Sequence, residues 1–227
     1  MSPERPEAAN TILMSWREPS APEEIGRFAD EAVRAGLAER AIVDRVVDGP
    51  GENVPVTGRR PLRALLHLRH RDAAEVWPTW LERFADRELY LVAHRPVIDR
   101  SVPDAGIDDG GPWIRIGSQT RREDVDPQAF RAAWGGRHAE LVARHHPGVD
   151  RYAQHVVLAR SEAAPPVDGF YEARFPTAVD FRTRLYDSPE GERTIEDDNR
   201  SFVDQALTER VFVRRIEHGR AGAPSPA

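Results

Sequence analysis

The sequence predicts an α+β protein: two tandem ferredoxin-like β-α-β-β-α-β halves closing into an intramolecular α+β barrel. Three observations lead there. Short apolar runs of strand length alternate with segments of helical period, and the order strand-helix-strand-strand-helix-strand occurs twice. A stretch rich in Asp, Gly and Pro, residues 98–111, separates the two passes. A four-stranded sheet with helices on one face must bury its other face, most economically against the second half's sheet.

The elements follow in order. Residues 1–10 are polar, carry two prolines and are expected to be disordered. The N-terminal half spans 11–97. Thr11–Arg17 is its first strand, and Ser20 with Glu23 and Glu24 marks a helix start. That helix runs to about Leu37 and buries Ile25, Phe28, Ala29, Ala32 and Val33. Strand Arg40–Val47, a Gly/Pro-rich loop through Gly58, strand Leu62–His70, a helix around Ala73–Asp86 and strand Glu88–Val97 complete it.

The C-terminal half spans 112–217. After strand Trp113–Gly117, Asp126 and Pro127 open a helix, with proline suited to its first position. Pro147-Gly148 ends it. Strands Arg151–Ala159 and Gly169–Phe175 follow. A helical region within Ala178–Leu207, broken at Ser188-Pro189, leads to strand Arg210–Glu217. The tail 218–227 is small and Gly/Pro-rich, and expected to be disordered. The two halves lack obvious residue identity, so the repeat is architectural.

Composition excludes several classes. The 227-residue chain contains no lysine, so all 32 basic residues are arginines, and Schiff-base, pyridoxal-phosphate and P-loop lysine chemistry are ruled out. No cysteine is present, which removes thiol catalysis, disulfides and Cys-ligated metals. A net charge of −6 argues against nucleic acid as a partner. No segment approaches the roughly 18 apolar residues of a membrane span. The first ten residues hold no hydrophobic signal region, so a cytoplasmic protein is expected.

The chemistry concentrates on the helix that begins at Pro127. Phe130, Trp134, His138, Leu141, Val142 and His145 fall on one side of it at spacings of three or four. A histidine in such a stripe is either a satisfied core residue or the working group of a pocket. A neutral imidazole titrates near physiological pH and can shuttle a proton in an apolar site. Gly135-Gly136 strengthens the second reading, since each glycine costs about 1 kcal/mol in a helix interior. Close approach by another element or a local helix irregularity would explain them.

On the following strand, Tyr152 and His155 point to opposite faces. Tyr152 is the better candidate to donate a hydrogen bond to an oxyanion, and His155 a candidate to line the pocket. In Gly169–Phe175, Tyr171, Ala173 and Phe175 read as packing under helices. Phe170, Glu172 and Arg174 suit a cavity wall or the seam between halves. His67 alternates with Leu66 and Leu68, and its face should likewise meet the other sheet. No His-Glu-x-x-His motif or facial-triad spacing is visible, so no metal is expected. No histidine can be assigned as a haem ligand, and no nucleophile elbow or dinucleotide-binding glycine pattern occurs.

Residues 112–217 resemble an EthD-domain protein of the dimeric α+β-barrel superfamily. The resemblance rests on Phe130-x3-Trp134-x3-His138-x2-Leu141-Val142, Pro147-Gly148, Arg151-Tyr152 and Val167-Asp168-Gly169. It continues through Glu196-Asp197-Asp198 and Phe202-Val203-Asp204. The N-terminal half shares only the fold pattern, with Ile25, Phe28 and Val33 where the Trp-x3-His signature would stand. The resemblance implies a pocket under the sheet, often without metal or organic cofactor, and chemistry on aromatic or polyketide-like metabolites. The resulting expectation is one site per chain. His138 and Tyr152 are its catalytic residues, and Trp134, Trp113, His155, Phe170, Glu172 and His67 its substrate-binding residues. No cofactor is expected, the partner is a small-molecule substrate, and a homodimer is compatible with the fold. The reaction expected is decarboxylation or cyclisation; the alternative is a non-catalytic carrier or accessory protein.

Overall fold

Eight strands close into a single antiparallel barrel, in the order β1-β3-β2-β8-β5-β7-β6-β4. They are β1 Thr11–Trp16, β2 Arg40–Val47, β3 Ala64–Arg69, β4 Glu88–Asp99, β5 Trp113–Gln119, β6 Arg151–Arg160, β7 Gly169–Phe175 and β8 Arg210–Gly219. The computed structural model describes residues 9–19, 22–100 and 112–219. Residues 1–8 of the expected disordered N-terminus, most of the linker, Ser20 and most of the tail lie outside these residues, while Ala9 is buried and its carbonyl accepts from the Ala73 amide at 3.0 Å.

Within residues 11–99 the local strand order is β4-β1-β3-β2, and within 113–219 it is β8-β5-β7-β6. The two arcs are joined by β2 against β8 and β4 against β6, each in antiparallel register. Closure pairs every strand on both sides and leaves no free edge. Four strands outrun the sequence reading, β5 through Gln119 and β6 through Arg160 among them. β4 continues through Asp99 because Ile98 and Asp99 pair with Tyr152 and Arg151, across register shifts at Leu91/Val92 and Pro96/Ile98. A register shift accommodates Pro96, which has no N–H to give the ladder. β8 continues through Gly219, paired with Arg40.

The helices lie outside the barrel. α1 (Pro22–Arg34) and α2 (Ala73–Arg83) cover the first arc. The helix expected from Pro127 to His145 is three segments: α3 (Pro127–Ala133), a π-helical turn (Trp134–His138) and α4 (Ala139–His145). With α5 (Ala178–Arg184) and α6 (Pro189–Phe202) they cover the second arc. The starts follow local chemistry. Asp126 accepts from the Gln128 and Ala129 amides ahead of Pro127 at the first turn, and Ser188 caps α6 through Gly191.

Alternation sorts the side chains between the two faces. Ile12, Met14, Trp16, Leu66, Leu68 and Leu89 face outward and pack against Ile25, Ala29, Val33 and Trp80 of the first helix layer. Leu13, Leu65, Tyr90, Val92, Phe170 and Val213 face inward and form the barrel core. Both faces are covered, so β1 reads as a nearly continuous apolar run, with all six residues buried. The interior of the barrel is packed with these apolar side chains, and the cavity described below lies on the helix side of the sheet, not between two facing sheets.

Candidate active site

The cavity lies on the other side of the sheet, between the outer face of β5, β6 and β7 and the second helix layer. Its volume is about 530 Å³. Tyr152 on β6 and Tyr171 and Ala173 on β7 form its floor, Val142 and Ile195 its helical roof, and exposed Glu196 and Arg200 stand at its rim. Two aromatic rings press on glycines around this region. A Cβ on Gly117 would sit 2.2 Å from the Tyr171 ring, and one on Gly169 would sit 2.3 Å from the Trp134 ring. Only glycine leaves room for these aromatics to lie flat on the strands.

The π turn sets the phase of the helix. Phe130 and Trp134 pack with Val156 and Phe202 in a separate apolar cluster, while His138, at the end of the π turn, lines the cavity. Gln154 of β6 donates to the Trp134 carbonyl at 2.9 Å, tying the turn to the sheet. Gly135 is needed for a specific reason: a Cβ there would lie 2.0 Å from Nη1 of Arg95, which crosses this point from β4. Gly136 has nothing within 4 Å. Close approach explains the first glycine and an irregular helix explains the second. π turns of this kind recur at functional sites.

His138 is 5 % exposed, and its Nδ1 is 2.8 Å from Oδ2 of Asp198, itself buried on α6. Arg137 pairs with the other carboxylate oxygen. An ionised carboxylate accepts from Nδ1–H, which fixes the tautomer and leaves Nε2 as the basic nitrogen. The Phe202 ring lies edge-on to the imidazole at 5.5 Å and holds it in place. The sequence named Asp198 only as part of the Glu196-Asp197-Asp198 segment, without a role at the site. The signal is its spacing: Ile195, Asp198 and Phe202 are the buried face of α6, with a carboxylate in the middle.

The polar floor has spare capacity. Arg115 Nε, Gln119 Oε1 and Asn199 Oδ1 are buried atoms with no hydrogen-bond partner among the described residues, and all three residues line the cavity. Arg115 instead stacks over the Phe181 and Phe212 rings at 5.4 and 5.7 Å. A buried polar atom left unpaired in the empty site is one a ligand or water satisfies on entry. Burial pushes the Tyr152 phenol well above its ordinary value, against the opposing effect of Gln154 and Trp134, so it stays protonated. Burial lowers His146, at the inner end of α4, to about 4, partly offset by its bond to the Leu185 carbonyl; it is neutral at neutral pH.

The residues expected around one cavity are thus divided. His138 and Tyr152 share it. Trp134 is buried beside it, in the cluster with Phe130. Trp113 stands at the far end of β5, edge-on to Phe212 at 6.3 Å with Arg214 over its ring at 4.0 Å, and does not reach the cavity. His67, His155, Phe170 and Glu172 face the barrel interior, where Phe170 packs on Tyr90 at 5.0 Å and Glu172 binds Arg215. The reason is the parity of the strands: a residue that faces the barrel cannot face the helices.

Comparison with known proteins adds a family match over part of the chain. Residues 122–206 match the EthD domain. The EthD segment thus contains the π turn, His138, Tyr152 and Asp198, the centre of the site. A solved structure described as an anthrone oxidase-like protein is similar over 97 % of this chain and 98 % of that one, at 14 % identity and a TM-score of 0.60. It shares the fold on both sides of the EthD segment. A mutant chlorite dismutase from Candidatus Nitrospira defluvii aligns over 91 % of each chain at 10 % identity and a TM-score of 0.41. No curated protein matches the sequence. Among the described residues no helix is long and apolar enough to cross a membrane.

Proposed function

We propose that the chain is an enzyme that binds a small aromatic or polyketide-like metabolite in the helix-side cavity and moves a proton on it, in a decarboxylation or cyclisation. We also read it as two ferredoxin-like halves in tandem, a reading supported by the matching local strand orders of the two arcs.

The observation that carries the proposal is the His138–Asp198 pair in the cavity wall. Asp198 orients the imidazole, so Nε2 takes a proton from an acidic carbon or hydroxyl, and the resulting imidazolium is stabilised by the carboxylate. In a decarboxylation the proton comes from the carboxyl group and returns from Nε2 to the carbon that has lost carbon dioxide; in a ring closure it comes from the attacking carbon and passes from Nε2 to the oxygen of the carbonyl that is attacked. Tyr152, kept protonated by burial, donates to the oxygen on which negative charge develops. Arg115 supplies an unpaired cation for a carboxylate or phenolate, and Tyr171, Phe175 and Phe181 supply ring contacts.

The test is turnover of a panel of hydroxylated aromatic β-keto acids and poly-β-ketones, read as carbon dioxide release or ring closure. His138→Ala should lose about 10²–10⁴-fold in kcat, and Asp198→Asn should lose rate while keeping substrate affinity. Equal turnover by wild type and His138→Ala overturns the assignment. Binding without turnover in the wild type favours a carrier instead.

A further inference from the structure

The barrel interior holds a second constellation, on the opposite face of the sheet from the cavity. His67 on β3, His155 on β6 and Glu172 on β7 each offer one ligand atom, and these atoms lie within 4.8 Å of one another. We infer that these three side chains form a binding site for a divalent transition-metal ion of the zinc class, separate from the acid–base site.

The decisive group is His155. It is 2 % exposed, and neither of its ring nitrogens has a hydrogen-bond partner among the described residues. A buried imidazole left in this state requires an unseen partner. Its Nε2 stands 3.7 Å from Oε2 of Glu172. That is too long for a hydrogen bond, but it suits two atoms that each bind one ion at about 2.1 Å. The His155 ring also meets those of His67 and His94, with centroids 5.5 and 4.9 Å away. Nδ1 of His94 is a further buried atom without a partner, which makes His94 a candidate fourth ligand.

The surroundings resemble the outer shell of a metal centre. His67 Nε2 lies 2.8 Å from Asp44 Oδ2, and Arg215 donates to both oxygens of Glu172 at 2.8 and 2.7 Å and to both of Asp44 at 2.8 and 2.7 Å. Carboxylates that orient ligating imidazoles, and donors that hold a ligating carboxylate, recur around bound metals. Two carboxylates face the fully engaged guanidinium of Arg215, and a second guanidinium, Arg69, two residues beyond His67, has a buried Nε without a partner among the described residues.

The ligands come from both arcs, and β3 is not a neighbour of β6 or β7. An ion there would cross-link the two arcs through the barrel centre. It would also explain why three ligand-type side chains converge inside the barrel.

The experiment uses the full chain, stripped with a chelator and titrated with cobalt(II) and zinc(II). The expected result is one equivalent bound per chain, visible cobalt d–d absorption, and a rise in thermal midpoint with zinc. His155→Ala and Glu172→Gln should lose the absorption, while His138→Ala and the double variant His145→Ala/His146→Ala should retain it. Should the core variants fail to fold, the wild-type stoichiometry and zinc-dependent midpoint still decide. Absence of stoichiometric binding by wild type overturns the site. So does binding that survives in folded His155→Ala or is lost in His145→Ala/His146→Ala. Retention in His138→Ala keeps this outcome independent of the fate of the proposed acid–base reaction.

Discussion

The two helix layers are built on strands of the same local order, yet one is packed solid and the other encloses a cavity. In the first, Trp80 is 1 % exposed, stacks on Phe84 at 4.9 Å and donates its indole N–H to the Leu37 carbonyl at 3.2 Å. Ile25, Ala29 and Val33 fill the remaining space against the sheet. In the second layer the corresponding region carries a π turn, a His–Asp pair and, lining the cavity, three polar atoms without a partner among the described residues. The lesson is that a fold allots the position of a pocket, and side-chain chemistry decides whether it is filled.

The most severe way to break the comparison is to empty the solid layer. Trp80→Ala should cost about 3–5 kcal/mol of unfolding free energy, read by urea denaturation. The helix-side cavity of the second arc should keep its ligand affinity as long as the chain is folded. A variant that retains wild-type stability would show that the first layer is looser than its contacts indicate. A folded variant with altered ligand affinity would show that the two layers are coupled through the barrel.

How much of this was legible in the sequence follows from the range of each interaction. Strand and helix order, the Asp126-Pro127 start and the Ser188 break rest on neighbouring residues, and the structure keeps them. The apolar stripe from Phe130 was visible, and Gly135-Gly136 pointed to a close approach or a local helix irregularity, but spacings of three or four do not identify that irregularity as a π turn. Asp198 is 60 residues from its partner His138. His67, His155 and Glu172 meet only because the barrel closes, so no local metal motif could announce them. Strand parity was readable for Tyr171 and Ala173 against Phe170 and Glu172. Which parity faces the cavity depended on knowing that the barrel interior is packed with apolar side chains.

Acid should act on the two layers unequally, with a smaller effect. His146 under the second layer and His94 in the barrel are both lowered to about 4, chiefly by burial. The unfolded chain binds these protons near pH 6.5. Stability is therefore full above pH 6.5 and falls as the pH drops toward 4, because the unfolded state takes up protons that the folded state refuses. Each such histidine can contribute at most about 1.4 kcal/mol per pH unit across that window. In the first layer, His70 is lowered by burial with Glu39 opposing, but its ring is half-exposed. Hydrogen exchange followed between pH 7 and 5 should show α4 and β6 losing protection before α1. Uniform loss, or earlier loss from α1, would contradict the asymmetry.

The finest test concerns the two adjacent glycines in the π turn. Gly136 is exposed, has no positive φ, and has nothing within 4 Å of a prospective Cβ. Alanine there removes freedom from the unfolded chain and meets no atom in the folded one, so Gly136→Ala should stabilise the protein by about 0.4–1 kcal/mol. Gly135→Ala instead meets Nη1 of Arg95 at 2.0 Å. That atom is the end of a flexible side chain, so the structure yields, and the expected cost is modest. The two substitutions should therefore differ in sign, measured by thermal unfolding at neutral pH. If Gly136→Ala is destabilising, the π turn depends on glycine's own backbone freedom, and His138 owes its position in the cavity wall to both glycines instead of one.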